Sequence, residues 1–272
     1  MGLSWSALGL NIVLSLAALL VLLTVTWTIG RAQHRHVVID CAWGLGFVVV
    51  AVVTLIHSGM SITPNPDDAR RWLLLALVGL WGLRLAIYLG WRMRDGAEDP
   101  RYEKILESGG ERRDLYAIRR VYLPQAVVLL LVSMVIQMGM LGSAPLNWIA
   151  WLGVAVWAIG LFFEAAGDLQ LSRHKNDPAS RGTILDTGVW RFTRHPNYFG
   201  DAAVWWGIWL VAASAGWLVA LVTVLSPLLM TWALTSRTGK PLTESRMMDR
   251  PGYREYVQRT SGFFPLPPRN RA

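Results

Sequence analysis

The stretch Arg191-Phe-Thr-Arg-His-Pro-Asn-Tyr-Phe-Gly-Asp201 joins a loop dense in cations to the start of an apolar segment. Pro196 suits a first helical turn, where no amide donor is needed. The free N–H groups of such a turn, with Arg191, Arg194 and His195 beside them, are suited to an anion such as a phosphate. Asn197 and Asp201 lie four residues apart, so one helical face carries an amide and a carboxylate. A basic loop that only orients a membrane helix needs neither of these groups. The stretch therefore reads as the edge of a bilayer at which a phosphate-bearing cofactor is met.

Working outward, the rest of the chain supplies that bilayer. Of 272 residues, 53% are apolar, and several runs reach the roughly 20 residues that cross a membrane. About seven spans are predicted: Leu8–Ile29, Val37–Ile56, Trp72–Trp91, Val121–Met140, Trp148–Leu171, Tyr198–Ala213 and Trp217–Leu234. The expected fold is an all-α integral membrane bundle forming a single domain over 1–272. Residues 235–272 are expected to be a cytoplasmic tail packed on the membrane face. The first span is long and has no basic segment before it, which argues against a removed signal peptide.

Charge placement orients the bundle. Lys and Arg gather in 30–36, 92–120, 172–197 and the tail, whereas 141–147 and Ser214-Ala-Gly216 hold none. Arg70 and Arg71 are the only basic residues that then fall on the outer side. The positive-inside rule puts the N-terminus outside and the C-terminus in the cytoplasm, with the cell membrane (bacterial inner membrane) as the expected location. The net charge of +8 is thus concentrated on one face and favours anionic headgroups and ligands. No soluble reading domain is visible, so nucleic acid is not an expected partner. Cys41 is the sole cysteine and the His residues are scattered, so neither a disulfide nor a metal site is expected.

Ionisable groups inside spans are costly and point to function or pairing. Asp40 lies near the inner end of the second span. Arg84, Tyr88 and Arg92 share one face of the third. Glu164 and Asp168 share a face of the fifth, and Asn197 and Asp201 open the sixth. All fall in the cytoplasmic half, as a shared polar cavity requires. The alternative for Asp40 is capping its helix or pairing with Arg35, and for Arg84 it is neutralising Glu164 or Asp168. Gln125 and Gln137 read as interhelical hydrogen bonds. Gly44-Leu-Gly46 lacks the strand–turn–helix context of a dinucleotide fingerprint and reads as close helix packing.

Thr187-Gly-Val-Trp-Arg-Phe-Thr-Arg-His-Pro-Asn-Tyr-Phe-Gly-Asp201, with Trp205-Trp-Gly207 after it, resembles the signature of bacterial membrane proteins related to steroid 5-alpha-reductases. Glu164-Ala-Ala-Gly-Asp-Leu-Gln170 resembles the preceding helix of that family, and Leu83-Arg-Leu-Ala-Ile-Tyr88 its helix with a catalytic tyrosine. The resemblance runs from about Asp40 onward. It implies a seven-helix membrane fold and NADPH-dependent reduction of a carbon–carbon double bond conjugated to a carbonyl in a lipid. By the same resemblance, Asn197 and Asp201 contact the nicotinamide half of the cofactor, with Tyr198 and His195 beside them. Glu164 and Asp168 hold the adenosine or ribose portion. Lys175, Arg181, Arg191 and Arg194 meet phosphates, joined by Arg84 and Arg92. Tyr88 bonds the substrate carbonyl. Asp40 is the only acid in the span where steroid-reducing relatives carry a Glu, and position 164 is Glu where they carry Asn. The partners implied are a small lipidic substrate and membrane lipids.

Two other readings stand beside it. Isoprenylcysteine carboxyl methyltransferases and phospholipid methyltransferases also carry an Arg-His-Pro-x-Tyr-x-Gly element, with a paired Glu before a Tyr-rich tail. Here Thr243-Glu244 precedes Pro251-Gly-Tyr-Arg-Glu-Tyr256, so the tail is similar but the double Glu is absent. In that reading S-adenosylmethionine takes the pocket. The other is a non-catalytic membrane lipid-binding scaffold. A transporter is disfavoured because no repeated or broken helices are seen.

Overall fold

The computed structural model describes residues 4–60, 66–94, 96, 98–237 and 239–269. It is 81% helical, and among the described residues there is no β-strand. Six helical stretches are long and apolar enough to cross a membrane: Trp5–Ala32, His36–Gly59, Asp68–Met93, Pro100–Leu141, Trp148–Asn176 and Trp217–Met247. The protein is therefore a multi-pass membrane protein. The expected span Tyr198–Ala213 is helical too, but it is not one of the six. Asn197 and Asp201 in its first turns dilute its apolar character.

The chain gathers into two compact units, one of residues 1–150 with 210–226 and one of 151–209 with 227–272. In the first, α1 (Trp5–Ala32), α2 (Ile39–Gly59) and α3 (Asp68–Met93) are the long elements. Short helices α4 (Pro100–Leu106) and α5 (Arg113–Ala117) lead through a π-turn at Ile118–Tyr122 into α6 (Leu123–Val132) and α7 (Met134–Leu141). The second unit is built on α8 (Trp148–Asn176), α9 (Pro196–Ala213), α11 (Leu225–Trp232), α12 (Lys240–Met247) and α13 (Tyr253–Arg259), with α10 (Trp217–Thr223) returning to the first.

Small residues set the spacing of α2 and α3. A methyl group on Gly44 would lie 2.5 Å from the Gly82 carbonyl oxygen, so the two backbones touch and no larger residue fits. Gly44 is thus a packing glycine, as its sequence context suggested. Trp72, Leu80 and Ile87 are exposed at roughly two-turn intervals along α3, the pattern of a stripe turned to lipid.

Several buried polar groups in this unit are paired across helices. Asn11 on α1 donates to Thr54 Oγ1 at 3.0 Å and to Gln137 Oε1 at 2.9 Å, and its own oxygen lies 3.1 Å from His57 Nδ1. Gln137 is thus an interhelical link, as read from sequence. Arg70 and Arg71 also have structural work. Arg70 is fully buried, donating to Ser214 Oγ and to the carbonyls of Gly142 and Ala144. Arg71 donates to the Leu55 carbonyl at 2.8 Å, in the last turns of α2, where a cation suits the helix end. Two basic residues that break the charge pattern are thereby accounted for.

Candidate functional site

Most of the residues singled out from sequence lie in the second unit, on α8, on α9 and in the loop between them. Two helices reach one another there because glycine faces glycine. A methyl on Gly200 would lie 2.4 Å from the Glu164 amide nitrogen and 2.5 Å from the Gly160 carbonyl oxygen. Gly167 meets the first turn of α9 in the same way, 3.1 Å from the Asn197 nitrogen. This close contact sets Glu164 and Asp168, both buried, against the start of α9. Asn197 Nδ2 donates to Asp168 Oδ1 at 3.3 Å, which brings together two residues predicted to share a cofactor. Asp201 follows one turn later, with its Oδ1 shielded from solvent.

The loop entering α9 is pinned to α8. Val189 N donates to Gln170 Oε1 at 3.1 Å and Trp190 Nε1 to the Gly167 carbonyl at 3.1 Å. Gly188 makes the turn with φ 59°, and a methyl there would lie 2.4 Å from Gln170 Oε1. Both the backbone conformation and the space require glycine. Lys175, Arg181 and Arg191 are exposed around this loop.

Arg194 and His195 do not project as free phosphate contacts. Glu244 on α12 takes both: Arg194 Nε and Nη2 donate to its Oε1 at 2.9 and 2.8 Å, and His195 Nε2 lies 3.2 Å from the same atom. Arg194 Nη1 donates to the carbonyls of Thr260 and Val257 at 2.5 and 3.2 Å. The His195 ring stacks on Tyr198, 5.3 Å between centroids and 6° from parallel, and the Tyr198 hydroxyl lies 3.2 Å from Thr243 Oγ1. Tyr256 donates to the Trp190 carbonyl at 2.6 Å, and Thr193 Oγ1 to the Phe263 carbonyl at 2.8 Å. The tail is thus stitched onto the motif. Burial pushes the His195 imidazole below its ordinary value, with Glu244 pulling partly the other way.

The first turn of α9 is also less open than its sequence suggests. Tyr198 N donates to Asn197 Oδ1 at 3.1 Å, and Phe199 N to the His195 carbonyl at 3.0 Å. The amide of Tyr198 is therefore already satisfied and is not a free anion-binding donor.

In the first unit, Arg84, Tyr88 and Arg92 lie along α3. The Arg92 guanidinium sits 5.8 Å from the centre of the Tyr88 ring, a cation–π contact that holds both near the C-terminal end of the helix. Asp40 is engaged elsewhere. Its Oδ1 accepts from Tyr102 at 2.5 Å and its Oδ2 from Arg101 at 3.2 Å, tying α4 to the base of α2. Pairing with Arg35 does not occur, because Arg35 donates to the carbonyls of Met93 and Gly96. Gln125 reaches the Tyr102 hydroxyl at 3.5 Å.

Sequence reasoning missed Glu244 as the anchor of Arg194 and His195. It also missed the bridge between Thr193 and Ser261. The Tyr-rich tail was a visible signal, but nothing in its spacing showed which loop it would cover. Among the described residues no group of three or more His, Cys, Asp or Glu comes together to hold a metal.

Neither curated proteins nor solved structures give a match to this chain. The family described as "Protein of unknown function (DUF1295)" matches residues 26–260, which takes in α2 to α13 and the residues of the α8–α9 contact. A match over that much of the chain establishes membership: the protein belongs to the DUF1295 family.

Proposed function

We propose that this protein is a membrane-embedded reductase that uses NADPH to reduce a carbon–carbon double bond conjugated to a carbonyl in a lipid of steroid, prenoid or acyl type. The observation that carries the proposal is the contact of α8 and α9, which gathers buried Glu164 and Asp168 and half-buried Asn197 into one polar face beside a cation-rich loop. Resemblance to steroid 5-alpha-reductase relatives gives that face its assignment. The topology proposed with it has seven crossings, α9 counted as the sixth in order, with the N-terminus outside and the site open to the cytoplasm of a bacterial inner membrane.

The residues present suit a dinucleotide. Carboxylates at 164, 168 and 201 accept hydrogen bonds from ribose hydroxyls or a carboxamide, and the Asn197 amide adds a donor and an acceptor. Bound NADPH would supply the hydride. The chain's own task is to orient it and to exclude water. Tyr88 is assigned to the substrate carbonyl, where a neutral hydroxyl donates to the oxygen as negative charge builds on it and then supplies a proton. Asp40 is not carried forward as the acid partner of Tyr88, since both its oxygens are taken by α4.

Titration of detergent-purified protein with NADPH, NADH and S-adenosylmethionine side by side tests this. Asp201→Ala and Asn197→Ala are expected to weaken NADPH binding by about tenfold or more, as for loss of a buried hydrogen bond to a ligand. Tyr88→Phe should leave binding unchanged and slow turnover by about a hundredfold. Stabilisation by S-adenosylmethionine alone would replace the reductase by a methyltransferase, and no response to any nucleotide would leave the lipid-binding scaffold. Full turnover in Tyr88→Phe would remove the proton-donor role.

A further inference from the structure

Resting on the reductase reading, we propose that Lys240, at the start of α12, is a phosphate-binding residue of the nucleotide site. A methyl added at Gly262 would lie 2.9 Å from Lys240 Nζ and 3.2 Å from Arg194 Nη2, so two cationic heads flank one point. Glu244 neutralises Arg194 through a single oxygen. His195, on the same oxygen, is held toward its neutral form. Lys240 has no carboxylate partner among the described residues, which leaves the cluster with one uncompensated positive charge. Like charges this close repel unless an anion joins them.

The position of the cluster says which anion. Its residues on α12 meet the stacked rings of His195 and Tyr198, through Glu244 and Thr243, at the start of the helix bearing Asn197 and Asp201. Arg194 is occupied by Glu244 and by two backbone carbonyls, so it is an internal strut. Lys240 is the half-buried cation left to meet a phosphate there. As a point charge on a flexible stem, it suits a phosphate without demanding bidentate geometry. A phosphate can also come from an anionic lipid headgroup, and the test separates the two.

NADPH and NADH binding would be compared for the wild type, Lys240→Met and Gly262→Asp, in nanodiscs of phosphatidylcholine alone and with added phosphatidylglycerol. Lys240→Met removes the cation. Gly262→Asp offers an internal carboxylate beside it, so it should lower nucleotide affinity without lowering the unfolding temperature, an outcome that misfolding would not give. About a tenfold rise in Kd in both variants supports the inference. An effect on NADPH alone assigns the 2′-phosphate, and an equal effect on NADH assigns the pyrophosphate. Unchanged nucleotide binding, with loss of stabilisation by phosphatidylglycerol, assigns the lipid headgroup as the source. If the wild type binds NADPH and neither variant differs in any arm, Lys240 is overturned and the reductase reading stands. If the wild type binds no nucleotide, the reductase reading falls, and Lys240 falls with it as a cofactor contact.

Discussion

Glu244→Ala should destabilise the second unit by about 3 kcal/mol, the cost of stranding a buried charge when its partner is removed. The substitution leaves the Arg194 guanidinium, 10% exposed, without its carboxylate, and the His195 ring, 2% exposed, without its acceptor. Thr260 and Val257 would still hold Nη1, but Nε and Nη2 would lose the carboxylate oxygen they share. The tail should then loosen from the loop before α9, and protease should cut after Arg246 or Arg250, which the folded tail keeps in place. Glu244→Gln, which retains one acceptor oxygen, should lie between the wild type and Glu244→Ala. Thermal unfolding and limited proteolysis of the three proteins decide the matter; equal unfolding temperatures would show that the ion cluster contributes nothing.

The same cluster gives a pH dependence. The folded-state pKa of His195 is depressed, mainly by burial, so folding favours the neutral ring. Its contribution is complete above the unfolded value of about 6.5 and is lost as pH falls through the lower folded value. The unfolding temperature should therefore decline on acidification from about pH 7 to 5, and the decline should be shallower in His195→Gln. A variant that tracked the wild type throughout this range would place the sensitivity elsewhere.

Gly200→Val should abolish cofactor binding and cost about 2–3 kcal/mol, at the upper end of the range for overpacking. The added side chain has nowhere to go, since its first carbon would meet the backbone of α8 at Glu164 and Gly160, and backbone cannot swing aside. The helices must part, and Asn197 then loses its place against Asp168. Gly79→Val is the control: Gly79 lies on α3 with nothing within 4 Å of an added methyl, so that protein should fold and bind as the wild type does. Binding and unfolding measured on both variants test the point, and a Gly200→Val protein that bound NADPH normally would show that the helix contact does not position the site.

How much of this was legible beforehand depends on the range over which each residue acts. Six of the seven predicted spans coincide with helices apolar enough to cross a membrane, because hydrocarbon length and backbone satisfaction are local requirements readable from one segment. Gly44 as a packing glycine and Gln137 as an interhelical link were also readable. A small or amide residue inside an apolar span has few other uses. The grouping of Asp168 with Asn197 followed from the motif, and the glycines that enforce it lie in the same two segments.

The partners of the charged groups were decided only by tertiary structure. Asp40 had Arg35 five residues away, yet its oxygens went to Tyr102 and Arg101, some sixty residues on. Arg194 and His195 had the composition of a phosphate cradle, yet a glutamate from the tail took them. Composition alone established a membrane protein with a net positive charge. It could not say which cations would be consumed internally. Apolar patterning is satisfied by lipid anywhere along a span, but a buried charge must be met by one particular counter-charge, and folding brings that partner from any distance in the chain.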